Sequence, residues 1–289
     1  MAGGFRREGM ADRHRVSAYT AWMPEIHRTA LLEGDVELGD EVVIGPHCVL
    51  TGPITLGAGC RLIGNVYLHG PLEMGRENVV YPFACLGFAP QHVKYDPDSS
   101  GEGLEIGDEN TFREQVTIHR AFQEEGPTRI GNRNYFMATS HAGHDCRIGD
   151  GCTVVNGALL AGHVTVGDGV IVGGGTAVHQ FVRLGRGAML SGAMATGLDI
   201  PPWFMLTGTN ICGSVNLVGL RRSGMSREEI EDVRWAYRTL YREGRSMKAA
   251  LEDLKQRAER PIVAAYIAFI ETTQRGICPA RGKAARGTA

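Results

Sequence analysis

A six-residue period runs through most of this chain and constrains its fold more than any other feature. Every sixth residue from 26 to 86 is Ile, Leu, Met or Val, and the same frame returns at 106–118 and at 130–190. The residue after the aliphatic one is often glycine, as at Gly39 and Gly45. Repeats of this length are typical of solenoids, in which each repeat packs on its neighbours.

A period of six fits neither a helix nor an alternating strand. It predicts a triangular solenoid in which each hexad supplies one short strand and one corner. Three hexads make a coil of about 18 residues, and coils stack by strand pairing about 4.8 Å apart. The aliphatic positions fill the interior, and glycine relieves the backbone at corners that a Cβ would crowd. The 40 glycines among 289 residues fit this expectation of many repeated turns.

Two polar segments interrupt the frame, and we predict that both are loops extruded from the solenoid. Residues 91–105 separate two in-frame positions by 20 residues rather than 18, and residues 119–129 place Glu124 where an aliphatic residue is expected. Both segments are rich in turn residues. Irregular loops on a regular scaffold are where function concentrates.

The period ends near Pro201 and Pro202, and the pattern then becomes helical. Ser226 and Glu229 form a capping box, and Ser246 and Pro261 can begin two further helices. The predicted fold class is thus mainly β, with a parallel β-helix followed by a small C-terminal α-helical domain. The predicted boundaries are a disordered extension at 1–20, the β-helix at 21–209, the helical domain at 210–275 and a flexible tail at 276–289.

Charge, hydropathy and cysteine usage indicate which partners and which compartment to expect. The net charge is −2, which gives no indication of nucleic-acid binding. No stretch approaches 18 apolar residues, so we expect no membrane-spanning segment. Four of the seven cysteines share one repeat position, where a small apolar residue is needed: Cys48, Cys60, Cys146 and Cys152. This favours a reduced, cytoplasmic protein over a disulfide framework.

Histidines cluster in the second half of the solenoid. His144, His163 and His179 fall one position apart in phase in three successive coils, and His141 precedes His144 by three residues. We predict that they stack near one corner. A neutral histidine there could be a general base acting on an alcohol, with Asp145 as its orienting partner. Alternatively, stacked histidines could bind Zn²⁺ together with a neighbouring subunit, or could simply be exposed.

A few further residues are candidate contacts. Gly162 shares the phase of His144 one coil later and could bring its N–H close to an oxyanion, or be one more corner glycine. Lys94 in the first loop could meet a phosphate or a sugar hydroxyl, and Arg222, together with Arg221, could meet a diphosphate at the start of the helical part. Each of these side chains could equally be a solvated surface cation.

Several motifs together resemble the UDP-N-acetylglucosamine O-acyltransferases of lipid A biosynthesis. The resemblance covers roughly residues 21–275. The hexapeptide repeat is common to many transferases, but this combination of motifs is specific. The motifs are QHVKY at 91–95, VTIHR at 116–120, SHAGHDC at 140–146, LLAGHV at 159–164, GGGTAVHQF at 173–181, DIPPWF at 199–204 and NLVGLRRSGMS at 216–226.

The resemblance implies a left-handed β-helix, a homotrimer with active sites between subunits, and no cofactor. Acyl carrier protein would deliver an (R)-3-hydroxyacyl thioester to the 3-hydroxyl of UDP-N-acetylglucosamine, with His144 as general base, Asp145 orienting it and the Gly162 N–H holding the oxyanion. The residues implied to contact the sugar, nucleotide and acyl-pantetheine are Lys94, His141, His163, His179, Gln180, Asn216 and Arg222. Met189 and Gly192 would line the acyl channel, and a glycine at 192 would leave it open to a long chain.

The sequence departs from the family pattern at three positions. His92 replaces the usual Asp of the first loop, Val218 an expected Glu, and Ser223 a common Arg. His92 keeps open an alternative acceptor with a 3-amino group, which would give an N-acyl product. A zinc-dependent hydratase of the carbonic anhydrase type and a non-catalytic repeat scaffold are the rival classes.

Overall fold

The computed structural model describes residues 23–96, 99, 101–122 and 126–280, and its core is a parallel β-solenoid. The predicted extension at 1–20 and Glu124 lie outside these residues. The described strands form three sheets, which are the three faces of the solenoid. Residues 18 apart pair within a regular face, as Leu50 does with Leu68. The predicted hexapeptide solenoid is thereby confirmed.

The first face contains Glu25–Ile26, Val43–Ile44, Arg61–Leu62, Val79–Val80, Thr111–Phe112, Tyr135–Phe136, Thr153–Val154, Ile171–Val172, Met189–Leu190, Phe204–Gly208 and Ile211–Val215. The second face contains Leu31–Glu33, Val49–Thr51, Tyr67–His69, Cys85–Phe88, Thr117–His119, His141–Ala142, Leu159–Leu160, Ala177–Val178 and Ala195–Thr196. The third face contains Val36–Leu38, Ile54–Leu56, Leu72–Met74, Leu104–Ile106, Thr128–Ile130, Arg147–Ile148, Thr165–Val166 and Arg183–Leu184.

The interior is filled as the period predicts. The in-frame aliphatic residues from Ile44 to Leu190 are buried, as are the four cysteines assigned to the interior. Ile26 is exposed because it lies on the first coil that the structure describes, which the described residues cover on one side alone. The glycine after the aliphatic residue is required sterically, since a Cβ on Gly45 would lie 2.2 Å from the carbonyl oxygen of Ile63.

The two loops emerge from one corner of the solenoid. The coils that carry them are longer than the spacing of the in-frame residues had indicated. Met74 pairs with Ile106 and Ile106 pairs with Ile130, so the intervening coils are longer than 18 residues. Each loop is an insertion between a second-face strand and the next third-face strand. The period could not reveal this, because an inserted segment and a degenerate hexad look alike in one sequence. Both loops therefore overhang the corner between the second and third faces.

A ladder of buried asparagines crosses the interrupted coils. Asn78 Oδ1 accepts hydrogen bonds from both the backbone N–H and the side-chain amide of Asn110, at 2.9 Å each. Asn110 Oδ1 accepts from the N–H of Asn134 at 2.8 Å, and Asn134 Oδ1 accepts from the N–H of Cys152 at 2.7 Å. These bonds satisfy backbone donors that would otherwise be buried without partners.

A hairpin and four described helices close the C-terminal end. The helices span Leu217–Arg222, Arg227–Tyr241, Met247–Lys255 and Pro261–Glu271. Ser226 and Glu229 form the predicted capping box, and Ser246 caps the next helix. The predicted boundary at 209/210 is wrong, because it falls inside the hairpin that pairs Phe204–Gly208 with Ile211–Val215. No described helix is long and apolar enough to cross a membrane.

The predicted flexible tail begins too early in the sequence. Residues 276–280 pack on the hairpin, where Cys278 and Ala280 are buried. The N–H of Cys212 donates to the carbonyl of Pro279 at 2.8 Å, and Tyr241 donates its hydroxyl proton to the carbonyl of Cys278 at 2.5 Å. The sequence pattern after Gly276 is typical of a loop. These residues are nevertheless ordered by partners distant in the sequence, namely Cys212 and Tyr241. Residues 281–289 lie outside the part of the chain that the structure describes.

Candidate active site

The His144 side chain lies at the corner between the second and third faces, directly below the two loops. Its Nδ1 is 2.5 Å from Oδ2 of Asp145. Adjacent residues on a strand point in opposite directions, but Asp145 has φ 61, which turns its carboxylate back toward the imidazole. Both side chains are buried. With Nδ1 engaged by the carboxylate, Nε2 is the nitrogen that remains to accept a proton.

Asp145 is held in place by the second loop and the strand that follows it. Its Oδ1 accepts a hydrogen bond from the N–H of Phe122 at 3.0 Å, and its own N–H donates to Oγ1 of Thr128 at 2.9 Å. The carboxylate is thus fixed at both oxygens. An orienting carboxylate of this kind sets the tautomer of its histidine and stabilises the imidazolium that forms during proton transfer.

Gly162 lies one coil beyond His144, as its phase predicted. A Cβ there would be 2.8 Å from both Cε1 and Nε2 of the His144 ring, so glycine is required by the close approach of the two residues. Among the described residues, no acceptor is found for the Gly162 N–H. This N–H is therefore free to donate to an atom held beside the base.

His163 and Phe181 extend the same corner. The two rings stack with centroids 4.4 Å apart, and the His163 ring packs edge-on against His144 at 5.0 Å. His163 Nε2 is 3.7 Å from Oδ2 of Asp145. The potential ligand atoms of His144, Asp145 and His163 lie within 4.8 Å of one another, which is a group able to hold a metal ion.

His141 lies beside this group on the second face. Its Nδ1 is 2.8 Å from Oγ1 of Thr117, and its ring packs against His119 at 5.4 Å. Burial lowers the pKa of His141 to about 4, and the nearby His119 and His144 act in the same direction. Burial also lowers the pKa of His119. Both rings are therefore neutral at neutral pH, which suits hydrogen bonding to a neutral sugar.

This pKa predicts a dependence of stability on pH. The unfolded chain protonates His141 near pH 6.5, about the ordinary value, whereas the folded chain does so only near pH 4. Between these values the unfolded state binds more protons, so the free energy of unfolding falls as the pH falls. We expect His141→Asn to lessen this fall, as measured by urea denaturation at about pH 7 and about pH 5. An equal fall in the variant and the wild type would contradict the assignment.

A groove with a volume of about 860 Å³ runs along the second face away from the base. Most of its exposed wall surface is apolar, and the residues that line it also include threonines and, at two levels, histidines. They include Thr117, His141, Leu159, Ala177, His179 and Ala195. A groove of this composition suits an extended, largely apolar chain.

The other sequence-predicted residues are more scattered. His179 and Gln180 are exposed at the corner two coils beyond His144, and Arg275 lies 3.2 Å from Nδ1 of His179. Lys94 is exposed in the first loop. Met189 lies on the first face and Gly192 at the next corner, so neither lines the groove in the single chain.

The two predicted nucleotide contacts lie beyond the end of the solenoid. Arg222 is exposed in the last turn of its helix. Asn216 is buried as the N-cap of the same helix, where it accepts from the N–H of Gly219 and donates to the carbonyl of Gly187, both at 2.9 Å. This placement favours a structural role for Asn216. Its nucleotide contact stays a prediction.

Two aromatic side chains that pack against His144, Phe122 and His92, were not predicted as neighbours of the base from the sequence. Phe122 packs against His144 at 6.1 Å and against His92 at 4.8 Å, and His92 itself lies 5.6 Å from His144. Phe122 and Thr128 flank the second loop, where the interrupted frame gives no phase. Phe181, by contrast, shares the phase of Asp145 and His163, so the period could have identified it.

Two family models match the chain. Residues 199–278 match domain 2 of UDP N-acetylglucosamine O-acyltransferase, and residues 127–162 match the bacterial transferase hexapeptide of six repeats. The chain is 41% identical over 259 residues to the acyl-[acyl-carrier-protein]–UDP-N-acetylglucosamine O-acyltransferase of Thermodesulfovibrio yellowstonii, covering 89% of this chain and 100% of the relative. It is 42% identical over 258 residues to the enzyme of the same name from Halorhodospira halophila, covering 88% and 99%.

Solved structures agree with these matches. The UDP-N-acetylglucosamine acyltransferase of Francisella novicida superposes with a TM-score of 0.86 at 34% identity, covering 91% of this chain and 99% of that one. The corresponding acyltransferase of Campylobacter jejuni superposes with a TM-score of 0.83 at 34% identity, covering 89% and 100%. The similarity therefore extends over the solenoid and the helical end together.

Proposed function

Because the chain belongs to the UDP-N-acetylglucosamine O-acyltransferase family, we infer that it transfers an acyl chain from acyl carrier protein to UDP-N-acetylglucosamine. This reaction is the first step of lipid A biosynthesis. The observation that carries the inference is the buried His144–Asp145 pair beside a free N–H and an apolar groove. The comparisons do not favour an N-acyl product or a zinc-dependent hydratase.

His144 is the general base in this proposal. Its Nε2 takes the proton from the 3-hydroxyl of the sugar as the oxygen attacks the thioester carbonyl. Asp145 Oδ2, 2.5 Å from Nδ1, stabilises the imidazolium that results. The tetrahedral intermediate then collapses, the C–S bond breaks, and the imidazolium returns the proton to the departing thiolate.

The Gly162 N–H is the proposed donor to the oxyanion of that intermediate. It lies against the His144 ring and has no acceptor in the described chain. A fixed donor aimed at developing charge typically contributes 10²–10³-fold to turnover, on the order of a few kcal/mol. His141, His163, Gln180 and Lys94 are the proposed sugar contacts, and the groove containing His179 would take the acyl-pantetheine.

We propose that the enzyme is a homotrimer whose active site is completed by a neighbouring subunit. Arg222 lies past the C-terminal end of the solenoid, whereas His144 is three coils earlier, at the corner between the second and third faces and about 14 Å along the axis. Met189 and Gly192 lie on a different side from the groove. A second copy placed against the groove would supply these residues. The seven unpaired thiols support a cytoplasmic site of action.

The proposed function is tested by incubating the purified chain with UDP-N-acetylglucosamine and (R)-3-hydroxyacyl carrier proteins of several lengths. We expect formation of a 3-O-acylated UDP-sugar together with free carrier-protein thiol. Thiol release without acylated sugar, or product formation in the absence of carrier protein, would contradict the proposal.

Gly192→Met is expected to shorten the preferred acyl chain, because the thioether side chain would fill the far end of an open channel. Position 192 is an exposed corner, where a Cβ would lie 3.2 Å from the carbonyl oxygen of Gly174. This contact requires a backbone shift of a few tenths of an ångström, so the thermal midpoint of the variant is measured alongside. Competition between long and short donors measures the preference. An unchanged preference would show that Gly192 does not line the channel.

A further inference from the structure

His92 is a second imidazole next to the base, and the proposed reaction leaves it without a role. It stands in the exposed first loop, two residues before Lys94. Its ring packs on Phe122 at 4.8 Å and meets the His144 ring at 5.6 Å with an interplanar angle of 87°. The two imidazoles are therefore neighbours at the same corner, with Phe122 in contact with both rings.

The loop backbone fixes the tautomer of this imidazole. The N–H of Lys94 donates to Nδ1 of His92 at 3.2 Å, and the N–H of Tyr95 donates to its carbonyl at 3.0 Å in the same turn. Because Nδ1 accepts, the neutral ring carries its proton on Nε2. His92 consequently presents an N–H donor where a carboxylate would present an acceptor.

A donor at this place distinguishes two kinds of nucleophile. An attacking hydroxyl oxygen has two lone pairs, so it can accept a hydrogen bond from His92 and still attack the thioester. A neutral amine has a single lone pair, and accepting the same bond would occupy the electrons needed for attack. A protonated amine is not a nucleophile, and it has no lone pair to offer the donor.

We propose that His92 selects hydroxyl over amine acceptors by donating a hydrogen bond from Nε2 to the attacking atom. This inference rests on the proposed function, which it deepens by assigning the acceptor class to one residue. In the sequence analysis, His92 kept an amine acceptor open. The structure instead favours a hydroxyl acceptor, because the hydrogen bond from Lys94 leaves the proton of neutral His92 on Nε2.

The test compares kcat/KM for UDP-N-acetylglucosamine and its 3-amino analogue in four proteins: the wild type, His92→Phe, His92→Gln and His27→Phe. Phe keeps the ring packing on Phe122 and removes the N–H. Gln restores an amide N–H donor at the end of the side chain. His27 is exposed, far from the site on the first coil, and bonded to Thr29, so it controls for loss of a surface imidazole.

We expect the wild type and His27→Phe to prefer the hydroxyl acceptor. His92→Phe should move the ratio toward the amine by about tenfold or more, equivalent to about 1.4 kcal/mol, and His92→Gln should recover much of the preference. A ratio in His92→Phe within about twofold of wild type, or a wild type that prefers the amine, would overturn the role of His92. Turnover of UDP-N-acetylglucosamine by the wild type tests the proposed function separately, because it does not depend on the ratio.

Discussion

His144→Ala is expected to lower kcat for acyl transfer by about 10²–10⁴-fold, the usual loss for a general base. The neighbouring imidazoles are less suited to accept the proton. The pKa of His141 is about 4, and neutral His92 carries its proton on Nε2 because Nδ1 accepts from Lys94. His163 is stacked on Phe181, and its Nε2 is 3.7 Å from Oδ2 of Asp145. Steady-state kinetics with saturating UDP-N-acetylglucosamine and acyl carrier protein measure the loss.

The fold of this variant should be intact, because the described contacts of His144 are made at one corner and not in the aliphatic interior. Circular dichroism and the thermal midpoint check this point. His27→Ala, a substitution at an exposed histidine, serves as the matched control and should retain wild-type kcat. Wild-type turnover in His144→Ala would show that another group accepts the proton.

Gly162→Ala is expected to lower kcat by about 10²-fold, since displacing a catalytic group by about 1 Å has effects of that size. The added methyl group would lie 2.8 Å from Cε1 and Nε2 of His144, and that ring cannot move freely because Asp145 holds its Nδ1. The backbone of Gly162 does not have positive φ, so alanine introduces a clash without backbone strain. The expected loss therefore reports on the position of the base and its oxyanion donor.

Gly174→Ala is the matched control for this substitution. Like Gly162, it stands two residues after an in-frame aliphatic residue, at another corner. A Cβ there would lie 3.3 Å from the carbonyl oxygen of Asn156, which requires only a small shift, compared with 2.8 Å from the His144 ring at Gly162. Its kcat should stay within about twofold of wild type. If Gly162→Ala behaves like Gly174→Ala, the close packing of Gly162 on the base has no catalytic consequence.

The coil period was sufficient to predict the interior and one side of the site. Residues 18 apart must stack, so the position of Gly162 next to His144 in the following coil was predictable from the sequence alone. Outside the regular coils this arithmetic fails. Phe122 and His92 reach the base from insertions whose lengths do not preserve the period, and their contacts depend on how two loops pack on each other.

The C-terminal end shows a second limit. The capping box at Ser226 could be recognised because all of its partners lie within one turn. Cys278 and the amide nitrogen of Asn216 could not be placed, because their partners, the Tyr241 hydroxyl and the Gly187 carbonyl, belong to residues many positions away. Local chemistry predicts helix starts, whereas a short extended segment needs its distant neighbour to be known.

The ladder of buried asparagines aligns successive coils independently of the length of the loops between them. Asn78 and Asn110 are 32 residues apart and Asn110 and Asn134 are 24 apart, yet each pair is bonded as directly as neighbours in an uninterrupted coil. Coil alignment beneath the site is thus enforced from inside, by bonds that do not involve either insertion. A lineage could lengthen, shorten or resurface the first insertion, and so change the acceptor or donor that it admits, while the proton-transfer pair stays where it is. The second insertion is constrained at Phe122, whose N–H holds Asp145. This architecture would let substrate range evolve independently of the chemical step.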